Sequence, residues 1–198
     1  MESKIVIKTV SEEDRRTVTS IFVEAFYSQL CKLNKDITKL EKMFFHAFVL
    51  DRFLGAFLDE KLVGFFALTN ESERCLRIIK TDFVGALGGV KGYFAHMALK
   101  KEFEHKRILR ERGNAIECVA ISKKYQGKGI ATQLMNYAIE NYDYLELDVL
   151  DTNQRAYEIY RRVGFIEYKE EYVSPMFRKA LGYNKRIFMY YKKARRAP

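Results

Sequence analysis

The chain is poor in the residues that build disulfide frameworks and metal centres. Only three cysteines occur in 198 residues, and Cys31, Cys75 and Cys118 are far apart with no Cys-x-x-Cys pair. That spacing excludes a disulfide scaffold and a zinc ribbon, and it fits a reducing, cytoplasmic setting. His46, His96 and His105 are equally scattered, with no His-x-x-x-His partner. No protein metal site is expected. No apolar run approaches the ~20 residues needed to span a bilayer. The N-terminus enters a strand-like Ile5-Val6-Ile7, so the chain reads as soluble and unsecreted. Internal repeats and low-complexity tracts are missing as well.

What the chain does have is apolar content and positive charge. At 48% apolar over 198 residues, one compact core suffices, and residues 1–198 read as a single domain. A formal charge of +9 points to an anionic partner: nucleic acid, an acidic membrane surface or a phosphate-rich cofactor. Charge alone does not choose among the three.

Periodicity supplies the outline. Ser11-x-x-Asp14 has the form of a capping box, and Val18, Ile21, Phe22, Ala25 and Phe26 follow at helical spacing. A second helix starts near Asp36, with Leu40, Met43, Phe44, Ala47 and Phe48 on its apolar face. Phe53 to Leu58 and Leu62 to Thr69 flank the polar Asp59-Glu60-Lys61, which reads as a hairpin. From about 71 to 114 runs a long, basic, helical insert punctuated by Gly85, Gly88, Gly89 and Gly92, expected to form an active-site lid.

Ala115 to Ile121 then reads as a strand, Ile130 to about Tyr142 as a helix, and Tyr144 to Leu150 as another strand. That order implies parallel pairing. A shorter helix from Asn153 to Val163 stops at Gly164, and Phe165 to Lys169 and Arg186 to Tyr191 close the sheet. The class is α+β: a mixed, mostly antiparallel sheet with a central parallel strand pair, flanked by helices. The Lys192-Lys193-Ala194-Arg195-Arg196 end reads as a solvated tail.

The most informative stretch is Ile116 to Ala131, a strand, a turn with Gly127 and Gly129, and the start of a helix. Backbone N–H groups at such a helix start are unpaired and lie at the positive end of the dipole, where they hold a pyrophosphate well. Gly127, Gly129 and the small Ala131 let oxygens approach. A Walker A loop does not fit, because Ser122 stands five residues before Gly127. The dinucleotide fingerprint fails at Thr132, where its last glycine belongs. A plain glycine-rich connection is the competing reading of this turn.

Here the sequence resembles the GNAT superfamily of N-acetyltransferases. Gln126-Gly127-Lys128-Gly129-Ile130-Ala131 matches the family's Gln/Arg-x-x-Gly-x-Gly/Ala. Asn153, Ala156, Tyr160, Gly164 and Phe165 match a second signature in the right order. Two departures stand out: the 71–114 segment, and Lys123 where many relatives carry proline. The resemblance implies acetyl-coenzyme A as co-substrate, with its pantetheine arm on the backbone of Val119, Ala120 and Ile121. It places the pyrophosphate on Gln126, Gly127, Lys128, Gly129, Ile130 and Ala131, with Asn153 nearby. The Val119 amide would stabilise the oxyanion, and Tyr160 would protonate the departing thiolate.

An amine attacks a thioester only when unprotonated, so a carboxylate must take its proton, directly or through water. Glu117, two residues before Val119 and read as on the same strand face, is the first candidate, and Asp148 on the next strand is the second. Each also has a plain reading as a solvated or ion-paired strand acid. The acceptor is an amine of a small molecule or protein, and a homodimer is compatible with the sequence. The rival function is a nonenzymatic coenzyme A-binding module whose basic surface engages nucleic acid. It rests on Lys91, Lys100, Lys101, Lys106, Arg107, Arg110 and Arg112 interleaved with Tyr93, Phe94 and Phe103. It ranks second because such runs are usually solvated faces and no nucleic-acid motif is present.

Overall fold

A computed structural model describes residues 4–104 and 108–194. His105, Lys106, Arg107, Arg195 and Arg196, named above, lie outside the described residues. The strands are β1 (Ile5–Thr9), β2 (Phe53–Leu58), β3 (Lys61–Thr69), β4 (Asn114–Ile121), β5 (Tyr144–Leu150), β6 (Ile166–Tyr172) and β7 (Lys185–Lys192). They form one sheet in the order β1-β2-β3-β4-β5-β7-β6. Among these described strands only β4 and β5 run parallel. The α+β class with a central parallel pair is therefore what the chain adopts.

Helices cover both faces: α1 (Arg15–Ala25), α2 (Tyr27–Leu30), α3 (Ile37–Phe44), α4 (Lys80–Leu87) and α5 (Gly89–Glu104), then α6 (Ile130–Asn141), α7 (Gln154–Arg162) and α8 (Pro175–Leu181). Two elements escaped the periodicity: the single turn of α2, and α8 inside the β6–β7 connection. The Asp36 side chain accepts from the amides of Thr38 and Lys39, which starts α3 where expected. Leu58 pairs with Lys61, so the β2–β3 turn has two central residues. Both Asp59 (φ 48°) and Glu60 (φ 63°) are left-handed, the geometry whose twist matches the flanking strands.

Two cores form, one on each side of the sheet. Phe22, Phe44, Phe48, Phe53 and Phe83 meet in the first, under α1, α3 and α4. Ring pairs such as Phe22–Phe44 at 5.1 Å and Phe44–Phe83 at 5.6 Å are tilted or edge-on, the arrangement aromatic quadrupoles favour. Leu134, Met135 and Tyr160 from α6 and α7 form the second with Leu145 and Leu147 of β5.

The 71–114 segment differs from the expected separable insert. Its helices exist, broken at Gly88 (φ 85°). Yet Cys75, Leu76, Ile78 and Phe83 are buried in the first core, and Leu76 bridges to Phe48. Burying an apolar side chain contributes roughly 1.5–3 kcal/mol, so these four residues tie the segment into the body of the fold. The outer face of α5, with Phe94 and Met97, remains exposed.

Candidate active site

Two elements converge on the glycine turn. Gly127 (φ 83°) and Gly129 (φ 76°) are both left-handed, a conformation that a side chain would strain. Gly129 is the N-cap of α6 and supplies no side-chain cap to the first amides. A Cβ built there would meet nothing within 4 Å. The first amides of α6 lie at a dipole's positive end without a side-chain cap, and the space beside Gly129 is open, which suits an oxyanion. The Gln126 side chain donates to the Ile121 carbonyl at 3.1 Å and pins the turn to the strand. Lys128 lies 5.0 Å from the Tyr125 ring centre. An Arg155 guanidinium nitrogen from α7 lies 3.7 Å from a Cβ built on Gly127. That second cation over the turn was not anticipated.

Beside the turn the sheet opens. β4 and β5 pair only at Asn114–Leu145 and Ala115–Glu146, which leaves the rest of the two strands without a shared ladder. On its other edge β4 shifts register against β3 between Ala120 and Glu117, so Cys118 and Val119 have no partner residue in β3. Cys118 adopts φ 53°, the signature of a β-bulge. The bulge corrects one expectation. Cys118 packs against the first core and Val119 against the second, while the Cys75 thiol of the first core contacts the Glu117 carboxylate at 3.4 Å. Glu117 and Val119 thus sit on opposite faces, because the extra residue interrupts the two-residue alternation of the strand.

The two carboxylate candidates have separate surroundings. Glu117 is gripped by one Arg74 nitrogen, 3.0 and 3.1 Å from its two oxygens. Both side chains are 13% exposed. Arg74 also donates to the Phe103 carbonyl at 3.0 Å, so Glu117 belongs to a half-buried brace between β4 and α5. Asp148 faces Arg186 of β7 at 3.5 Å and lines a cavity of about 690 Å³ with Glu102, Arg110, Tyr168 and Phe188. Glu146 closes part of its floor. It is 2% exposed and accepts from the Tyr144 hydroxyl and the Arg110 amide at 2.7 Å and from the Tyr168 hydroxyl at 2.9 Å. Those three donors satisfy an otherwise costly buried acid.

Tyr160 is buried against Phe165, with ring centres 6.1 Å apart. Burial holds its phenol above the ordinary tyrosine value, and the nearby negative charge of Asp148 adds to the shift. The hydroxyl therefore keeps its proton at neutral pH. Asn153 caps α7, its side-chain oxygen accepting from the Ala156 amide at 3.3 Å. Tyr157, one turn before Tyr160, instead donates to Glu167 at the surface.

Residues 16–165 match the family model described as "Acetyltransferase (GNAT) family". The chain belongs to that family. Among curated proteins no relative matches. Solved structures of similar fold include an N-acetyltransferase from Staphylococcus aureus Mu50, 19% identical at a TM-score of 0.59, with 94% of this chain and 100% of that one covered. The ribosomal-protein-S18-alanine N-acetyltransferase of Escherichia coli is 13% identical with a TM-score of 0.54, covering 98% and 97%. A spermidine N-acetyltransferase chimera built on the Vibrio cholerae enzyme is 18% identical with a TM-score of 0.58, covering 96% of each. At such identities the likeness is one of fold.

GNAT enzymes are acyltransferases that draw the acetyl group from acetyl-coenzyme A. The residues present fit that co-substrate: uncapped amides at Gly129 in open space, Lys128 and Arg155 beside them, and an unladdered gap between β4 and β5. When bound, it supplies the activated acetyl thioester. Arg74, Arg155 and Arg186 are the residues the motifs missed. Only the position of Arg155, two residues after Asn153 at the start of a helix, carried any signal. Among the described residues, no group of three or more His, Cys, Asp or Glu side chains is arranged to hold a metal ion. No described helix is long and apolar enough to cross a membrane.

Proposed function

We propose that this protein acetylates a primary amine that enters through the cavity beside Asp148, with acetyl-coenzyme A held at the Gly127–Gly129 turn and along Val119, Ala120 and Ile121. The observation that carries the reading is the unladdered gap between β4 and β5, where the chain runs from β4 to the uncapped α6 terminus and Asp148 of β5 lines a cavity. A thioester bridging that gap would meet an amine from the cavity side.

The amine nitrogen forms a bond to the acetyl carbon while the carbon–sulfur bond breaks. Asp148 takes the amine proton, directly or through water, because it lines the cavity and its charge is felt at Tyr160. Glu117, ranked first from the sequence, becomes the second candidate, since Arg74 occupies both its oxygens. The Val119 amide, freed from register by the bulge, donates to the oxyanion. Tyr160 gives its proton to the departing thiolate. Asn153 holds α7, and so Tyr160, at its start. Three unbridged cysteines suit a cytoplasmic enzyme.

The test begins with the cofactor. Acetyl-coenzyme A should raise the melting temperature of the wild type and leave Gly129→Asp nearly unmoved, because the variant puts a carboxylate where the pyrophosphate belongs. Equal stabilisation of both folded proteins would refute the binding site. Release of free thiol with an amine panel then reports transfer.

A further inference from the structure

Three features outside the transfer chemistry stand out: the Cys75–Glu117 contact beneath the bulge, the exposed Val90, Phe94 and Met97 on α5, and the cations of the Asp148 cavity. The third carries an argument furthest, because its charges are placed rather than merely present.

Tyr168, Tyr172, Tyr183 and Phe188 line the cavity, and the protein's own cations already lie over three of these four rings. The Arg110 guanidinium lies 4.5 Å from the Tyr168 ring centre and 5.0 Å from that of Tyr190. Lys169 lies 5.3 Å from Phe188, and Lys185 lies 5.7 Å from Tyr172. A polycationic acceptor would need such faces open and would meet like charge at the rings, although Glu102, Glu146, Asp148 and Glu171 also line the cavity. The guanidiniums, in turn, have donors to spare. Among the described residues no carboxylate pairs with that of Arg110, which lies over two aromatic rings. Arg186 meets Asp148 at 3.5 Å, Glu102 at 3.4 Å and the Tyr183 hydroxyl at 3.5 Å. All three distances exceed those of strong charge-assisted bonds. Arg186 is placed between carboxylates without being saturated by them.

Resting on the acetyl-transfer reading above, we propose that the acceptor carries a carboxylate next to its amine, with Arg186 and Arg110 binding the carboxylate and Asp148 the ammonium. Asp148 and Arg186 are neighbours, so the two groups they bind must be neighbours too. A free α-amino acid, with both groups on one carbon, is the simplest molecule that meets this demand. A guanidinium fork matches the planar carboxylate, and its edge-on geometry discriminates against the neutral amide.

The experiment compares free amino acids, the matching amino-acid carboxamides and spermidine as acceptors, by steady-state thiol release with the full chain. The carboxamides have the more acidic ammonium and so more free amine at neutral pH. Chemistry alone therefore favours them. The expected result is the opposite: kcat/KM at least ~10-fold higher for the acids, set by a KM difference, which is what one charge-assisted bond provides. In Arg110→Gln and Arg110→Lys that acid-to-amide ratio should fall toward one, with the acetyl-coenzyme A melting shift serving as the folding control. A wild-type ratio near one, or a preference for spermidine, overturns the inference and leaves acetyl transfer standing. Thiol release with none of the acceptors counts against the transfer reading itself, and the inference falls with it.

Discussion

Replacing Glu117 and Asp148 in turn separates a structural acid from a catalytic one. Glu117 and Arg74 are each 13% exposed and joined at 3.0 Å. Glu117→Gln keeps the shape and one acceptor but leaves the guanidinium without its counter-charge. Full loss of a buried partner costs about 3–5 kcal/mol. With the amide oxygen retained and some exposure remaining, about 1–3 kcal/mol is the reasonable range. For a domain of this size each kcal/mol lowers the melting temperature by roughly 2–4 °C, so a fall of about 2–12 °C is expected by calorimetry. Turnover below the transition should change by only a few fold. Removing both partners in Glu117→Gln/Arg74→Met should recover much of the loss, because no uncompensated charge stays behind. Asp148→Asn should do the reverse, changing the melting temperature little and slowing turnover by ~10² or more at neutral pH. If Glu117→Gln abolishes turnover at full stability while Asp148→Asn is mild, the assignment of the brace and the base is wrong.

Other substitutions test the remaining parts. Tyr160→Phe should slow the chemical step by ~10² or more in single-turnover measurements, whereas Tyr157→Phe, whose hydroxyl bonds Glu167 at the surface, should stay within a few fold of wild type; matched rates for the two would reduce Tyr160 to packing. Burial raises the Tyr160 phenol pKa in the folded protein, with Asp148 adding to the effect, while an unfolded tyrosine ionises near ~10. Its contribution is therefore complete below pH ~10 and is lost as pH rises further, so melting temperature should decline more steeply above pH ~10 in the wild type than in Tyr160→Phe. Phe83→Ala should cost about 3–5 kcal/mol in denaturant unfolding, since its ring is fully buried against Phe44; a loss below about 1 kcal/mol would return the 71–114 segment to the status of a detachable lid.

Much of the fold and the outline of the candidate site were legible in the sequence, for reasons that are local. A short polar turn after Leu58, an Asp cap before α3 and the 3.6-residue period of α1 depend on neighbours a few positions away. The Gln126–Ala131 turn is likewise a contiguous piece of backbone, and the seven-residue step from Asn153 to Tyr160 is two turns of one helix. Composition and these motifs together sufficed for the α+β class and for the family. Tertiary structure decided what depends on contacts between distant residues. One extra residue at Cys118 turned Glu117 away from Val119, a register shift that appears only when β4 is laid against β3. Arg74 reached Glu117 across 43 positions, and Arg186 reached Asp148 from a strand inserted between β5 and β6. Phe83 entered a core that its basic surroundings in sequence gave no reason to expect. Charge pairing and burial are properties of the packed chain, so only the folded molecule could assign Glu117 to a brace and Asp148 to a cavity.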